Sequence, residues 1–153
     1  MHRPFLLVSA CLCGISCRYD GKSLGLRPFV RLAQSGLALP ACPELLGGLG
    51  VPREPCEILG QRVLSRCGQD LTEAFRQGAL KTLALAREHG IRTAVLKEKS
   101  HSCGSTRIYD GAFSGSCVPG RGIAADMLIK AGVVVYNEEN CPEEFFGTAA
   151  RAL

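Results

Sequence analysis

Short, unbroken apolar runs alternate along the chain with longer stretches whose apolar residues recur every third or fourth position. The first run, Phe5-Leu6-Leu7-Val8-Ser9-Ala10, is almost free of polar interruption, the pattern of a central parallel strand buried on both faces. Leu37 to Ala41, stopped by Pro43, predicts a second strand, Ile91 to Leu96 a third and Val133 to Tyr136 a fourth. Between them the period changes to that of helices. Phe29 to Gln34 predicts a short helix ended near Gly36. Leu71 to His89 predicts the longest, with Leu71, Phe75, Ala79, Leu83 and Ala86 on one stripe and Gly90 as its stop. Asp70 and Glu73 stand at capping-box spacing before it. Ile123 to Ala131 and Glu143 to Ala150 predict two more helices. Glu57 to Arg66 reads as a hairpin turning near Gly60, and Ile108 to Gly115 as another turning at Asp110-Gly111. Helices alternating with buried strands predict an α/β fold, a single-domain three-layer sandwich with a mostly parallel, Rossmann-like sheet over residues 1–153.

Composition narrows the class. A chain of 153 residues suits one domain and needs no disulfides to bury a core. Its 9 cysteines, an odd number, cannot all pair within the chain, which points to reduced thiols in a cytoplasmic protein. The net charge of +4 comes from basic residues scattered in ones and twos, so no stripe for duplex nucleic acid is expected. Val8-Ser9-Ala10-Cys11 resembles a lipoprotein cleavage site, but the apolar segment before it is too short for a signal sequence, and no run is long enough for a membrane span.

Three cysteines change the picture. Cys11, Cys42 and Cys103 each follow a predicted strand, and in an open α/β sheet the loops after the strands share one edge, where ligands bind. Three thiolates gathered there could hold a metal centre with one position left for substrate. Glu44, two residues from Cys42, is placed to move protons in the same pocket, or else to pair with Arg53. Ser100-His101-Ser102-Cys103-Gly104 packs hydroxyls, an imidazole and a thiol into one turn whose N–H groups suit an anion, with Lys97 and Lys99 beside it favouring a thiolate. Gly120-Arg121-Gly122 precedes a helix whose N-terminus could meet a substrate oxygen or phosphate. Cys13, Cys17, Cys56, Cys67, Cys117 and Cys141 read as packing or structural thiols. His2 and His89 carry no expected role, and His101 ranks low as a ligand.

Ser9-Ala10-Cys11, Cys17-Arg18-Tyr19-Asp20-Gly21, Cys42-Pro43-Glu44, Gly47-Gly48-Leu49, Pro52-Arg53, Leu96-Lys97, Ser100-x-Ser102-Cys103-Gly104 and Tyr109-Asp110-Gly111 occur in one order over nearly the whole chain. In this the sequence resembles the bacterial thiouracil desulfurase family. The resemblance implies an oxygen-sensitive 4Fe-4S cluster held by Cys11, Cys42 and Cys103. It implies removal of sulfur from a thiolated pyrimidine, 2-thiouracil to uracil plus sulfide, with no net redox change. It makes Glu44 the catalytic acid/base and Ser100 an assisting residue. The chain has His101 where the family commonly has proline. Two other classes remain open at this point: a non-catalytic structural or redox-sensing iron–sulfur or zinc protein, and a cysteine-persulfide sulfurtransferase. The oligomeric state is not legible.

Overall fold

The computed structural model describes residues 3–147. Four parallel strands make the central sheet: β1 (Leu6–Ser9), β2 (Ala38–Ala41), β5 (Thr93–Leu96) and β8 (Val134–Asn137), in the order β2-β1-β5-β8. Leu7 sits beside Leu39 on one side and Ala94 on the other, and Ala94 beside Val135, so the apolar runs are in register across the sheet. Successive residues alternate faces. Leu6 and Val8 therefore pack with Phe29 and Leu32 of helix α1 (Arg27–Gln34) in one core. Leu7, Ala94 and Leu96 pack with Leu83 and Ala86 of α3 (Thr72–Glu88) and Leu128 of α4 (Ile123–Lys130) in the other. The result is the three-layer α/β sandwich that the apolar runs predicted.

From β1 the chain goes to β2 on one side and later returns to β5 on the other. Such a reversal opens a crevice beyond the carboxyl ends of the strands. A 3₁₀ turn (Ala10–Cys13) continues β1 into this crevice, and helix α2 (Pro43–Leu46) continues β2. Two antiparallel hairpins lie outside the sheet: β3 (Cys56–Leu59) with β4 (Arg62–Ser65), and β6 (Arg107–Tyr109) with β7 (Cys117–Pro119). Where α2 crosses α3, backbone meets backbone. A Cβ on Gly78 would overlap the Pro43 carbonyl oxygen, and one on Gly47 the Ala74 carbonyl oxygen.

Three local expectations change. At the start of α3, Asp70 Oδ1 accepts the Thr72 N–H at 2.9 Å, but Glu73 turns forward to Arg76 and Gln77, so the reciprocal bond of a capping box is absent. The second hairpin is joined not by a turn at Asp110-Gly111 but by the loop 110–116. Asp110 accepts from the Ala112 N–H and the Ser114 hydroxyl, and Glu57 Oε1 accepts from the Gly111 and Phe113 N–H groups, so side chains shape a wide loop in place of a tight turn. Of the predicted helix from Glu143 to Ala150, residues 144–147 are helical and the remainder, like His2, lies outside the described residues. Among the described residues no helix is long and apolar enough to cross a membrane.

Candidate functional site

A cavity of about 420 Å³ occupies the crevice, and Cys11, Cys42, Cys103, Glu44 and Ser100 all line it. They come from the segments that follow three strands, β1, β2 and β5. Cys11 lies in the 3₁₀ turn after β1, Cys42 immediately before α2, Glu44 in the first turn of α2, and Ser100 and Cys103 in the loop after β5. These residues, distant in sequence, line one cavity.

Glu44 is held at both oxygens. Arg53 Nε donates to Oε1 at 3.1 Å and the Ser102 hydroxyl donates to Oε2 at 3.0 Å. The pairing with Arg53, an alternative to a role in the pocket, is thus realised within the pocket. Arg53 also donates to the Gly50 and Cys17 carbonyls, so its guanidinium joins three segments of the wall. That fork of donors is a geometry lysine lacks. The Ser100 and Ser102 hydroxyl oxygens are 3.0 Å apart, and Ser100 Oγ also accepts the N–H groups of Ser102 and Cys103. A chain of hydroxyls therefore runs from Ser100 through Ser102 to Glu44. Ser102 Oγ lies 3.6 Å from Cys103 Sγ.

The anion-binding turn exists, but the chain fills it. Glu98, 1% exposed, accepts four backbone N–H groups at Oε1, from Lys99, Ser105, Thr106 and Arg107. Its Oε2 takes the Thr106 hydroxyl and the Asn137 amide. Burial pushes this carboxyl upward, and the Thr106 hydroxyl with the backbone N–H groups outweighs it, leaving the group below the ordinary carboxylate range. The N-terminus of α4 is likewise spent within the protein. Ile123 N–H donates to the His101 carbonyl, and Ala124 and Ala125 N–H to that of Ser102. No N–H is left there for the substrate oxygen or phosphate expected after Gly120-Arg121-Gly122. Those bonds instead clamp the turn that carries Cys103.

Two of the three candidate ligand thiols, Cys42 and Cys103, are held in the protonated form. Burial pushes the Cys103 thiol up to about 12 despite hydrogen bonds from Ser9 and Ser102. Cys42 is also raised, first by its contact with the Cys17 thiol and then by burial. Lys97, expected to favour a thiolate at Cys103, instead pairs with Glu138 at 3.1 Å. Cys17, read as a packing or spare thiol, is buried in the core and also borders the cavity. Its thiol lies against those of Cys11 and Cys42, and is raised to about 11, first by the Cys11 contact. Cys56 also lines the cavity, while Cys67 is exposed with its Sγ 2.6 Å from Glu54 Oε1. Cys13 and Cys141 sit in or against the core as expected. All nine cysteines are unpaired. Among the described residues no three His, Cys, Asp or Glu side chains are arranged to hold a single metal ion.

Two residues of the Ser100–Cys103 turn, given no role of their own in the sequence reading, line the cavity. Ser102, the hydroxyl that touches Glu44, stood in the same motif as Ser100 and could have been found from the Ser-x-Ser-Cys spacing. His101, 5% exposed, lines the cavity with Nδ1 accepting the Ile58 N–H at 2.9 Å, and burial holds it down to about 4.

Comparison with known proteins gives the family. The 2-thiouracil desulfurase family model matches residues 6–140. The uncharacterized protein YbbK of Bacillus subtilis (strain 168) is 43% identical over 143 residues, spanning 87% of this chain and 95% of its own. A solved structure, that of the [4Fe-4S]-dependent thiouracil desulfidase TudS, superposes with a TM-score of 0.88 at 41% identity, over 98% of this chain and 99% of that one. With crevice, thiols and carboxylate in one place and the family model spanning nearly the whole sheet, the chain belongs to the 2-thiouracil desulfurase family.

Proposed function

We propose that the protein is a 4Fe-4S-dependent desulfurase that converts a thiolated pyrimidine such as 2-thiouracil to the oxo base and sulfide. In this reading Cys11, Cys42 and Cys103 hold the cluster, Glu44 is the acid/base, and Ser100 assists through Ser102. The observation that carries it is the shared cavity, in which three thiols from three loops and one tethered carboxylate line a single space. The donor set fits the group. Thiolates are the ligands iron–sulfur clusters take, and about 420 Å³ is of the order that small-ligand pockets occupy. With the Cys103 thiol raised to about 12, its proton must leave as metal binds. The nine unpaired cysteines support a reducing, cytoplasmic setting.

When bound through only three thiolates, the cluster would supply a Lewis-acidic iron with affinity for a thione sulfur. The rest falls to the chain. Arg53 and Ser102 fix the two oxygens of Glu44, so the carboxylate faces the cavity in one orientation. Glu44 takes one proton from water as the water oxygen adds to the thione carbon and returns it to the sulfur. It then takes the proton of the new hydroxyl as the carbon–sulfur bond breaks and passes it to the departing hydrosulfide, so C=S and H2O become C=O and H2S with no electrons gained or lost. Ser102, between Glu44 and Ser100, gives the proton a short internal path. Ser100 positions, because its oxygen accepts the N–H groups of both Ser102 and Cys103.

The test is anaerobic reconstitution with iron and sulfide, followed by sulfide release from a panel of thiolated pyrimidines. Glu44→Gln should keep the iron and sulfide content and lose turnover by about a hundredfold or more. Wild-type turnover by Glu44→Gln would remove its assigned role. Sulfur release by metal-free protein would replace the reading with a persulfide sulfurtransferase, and a loaded protein that turns over no thione would replace it with a non-catalytic metalloprotein.

A further inference from the structure

His101 carries a hydrogen-bond donor for which the protein provides no acceptor. Its Nδ1 accepts the Ile58 N–H at 2.9 Å. A ring nitrogen that accepts there bears no proton, so the proton of the imidazole is on Nε2. Nε2 is the one buried side-chain nitrogen or oxygen without a partner among the described residues. The ring cannot easily turn away to find one. It stacks on Tyr109 with centroids 6.1 Å apart and planes 26° from parallel, and its backbone carbonyl is tied to the Ile123 N–H at 2.8 Å. The residue is 95% buried, yet it lines the same cavity as Glu44, Ser100 and Cys103. Buried donors are ordinarily satisfied, and a functional site is where exceptions belong.

From this geometry we propose that His101 is a specificity-determining residue whose Nε2–H bonds the exocyclic carbonyl oxygen of the bound thiolated pyrimidine. The inference rests on the reading that the cavity binds such a base. A pyrimidine thione offers two kinds of polar edge. Its ring N–H groups are donors and cannot pair with Nε2–H, whereas a carbonyl oxygen is a strong acceptor. The enzyme therefore selects thiones that carry an oxo group over those that lack one, because an analogue without the acceptor leaves the donor buried and unpaired.

Two substitutions separate this role from a structural one. His101→Asn places Oδ1 where Nδ1 stands, which keeps an acceptor for Ile58 and leaves no atom at Nε2. His101→Gln places an amide N–H near Nε2 and gives up the Nδ1 acceptor. With reconstituted protein, kcat/KM is compared for 2-thiouracil and for 3,4-dihydropyrimidine-2-thione, which keeps both ring N–H groups and has no carbonyl. Wild type should prefer 2-thiouracil, His101→Asn should lower that preference about tenfold, and His101→Gln should largely retain it. Equal losses on both substrates in His101→Asn, or loss of the preference in both variants, would overturn the proposal. Uracil binding by calorimetry on the same proteins reads the hydrogen bond without turnover. A Kd about tenfold weaker for His101→Asn supports it and an unchanged Kd overturns it. Wild-type protein that binds uracil in this way but releases no sulfide would overturn only the desulfurase reading.

Discussion

Gly78→Ala should damage both stability and turnover, although alanine is the better helix former. In an exposed helix interior the exchange would stabilise by about 1 kcal/mol. Gly78 is instead buried in α3 beneath α2, and the added Cβ would overlap the Pro43 carbonyl oxygen and lie 2.8 Å from its carbonyl carbon and 3.2 Å from Gly47 N. Carbon atoms rest about 3.5 Å or more apart, so α2 must retreat by about 0.7 Å at least. The clash is with backbone, and no side chain can rotate to relieve it. Overpacking of this kind costs about 3 kcal/mol at the upper end, leaving a net loss of about 2 kcal/mol after the helix-propensity gain. For a domain of this size that lowers Tm by about 4–8 °C. Because Cys42 and Glu44 bracket Pro43 at the start of α2, the same retreat carries the proposed acid/base and a proposed ligand with it. Misplacement approaching 1 Å can cost about a hundredfold, so sulfide release should fall between ten- and a hundredfold. Thermal or urea unfolding and single-turnover sulfide release on reconstituted protein measure the two effects. A Gly78→Ala protein as stable as wild type, with unchanged turnover, would refute the argument that this crossing sets the place of α2.

Glu98→Gln should cost about 3 kcal/mol, since an amide cannot replace the charged acceptor of six donors, and urea unfolding measures it. The Glu98 carboxyl is held below its ordinary range in the fold, so its contribution is full above the unfolded value and is lost as pH falls through the folded one. Wild type should accordingly lose stability below about pH 4.5 in a step that Glu98→Gln lacks, and an identical acid profile for the two proteins would count against the carboxylate clamp. Arg53→Lys should lower kcat about tenfold with retained iron content, because an ammonium cannot serve Glu44, Gly50 and Cys17 together; steady-state sulfide release decides it. Asp70→Ala should lose about 1 kcal/mol by freeing the Thr72 N–H while leaving turnover at the wild-type rate, and a denaturation curve with a parallel activity assay checks both halves.

The central strands β1 and β5 were legible because they are largely buried on both faces and so read as unbroken apolar runs, and α3 because its stripe keeps one period for nearly five turns. The convergence of Cys11, Cys42 and Cys103 followed from the rule that strand-end loops share an edge, which needs no knowledge of side-chain contacts. What stayed hidden depends on such contacts. Nothing local marks the N–H groups of Ile123, Ala124 and Ala125 as a clamp on the His101 and Ser102 carbonyls, because those partners lie about twenty residues earlier. The loop after Tyr109 is widened by Glu57, more than fifty residues away, which no turn signature reports. Cys17 looked spare because its sequence spacing from Cys11 and Cys13 fits no compact ligand motif. Its position comes from the fold of the loop, held where Arg53 meets its carbonyl. As a side chain Arg53 was given only the part of a competitor for Glu44, although its motif was part of the family resemblance; pairing and presentation to the cavity are one arrangement.

Glu98 has a consequence for the solution in which the protein works. A carboxylate tethered inside its own ring of N–H donors acts at an effective molarity no dissolved ion reaches. Phosphate, sulfate or chloride therefore finds that ring already claimed, and the stretch from Lys99 to Arg107 keeps its shape whatever the buffer. The turn bearing Cys103 is in this sense indifferent to the ionic medium.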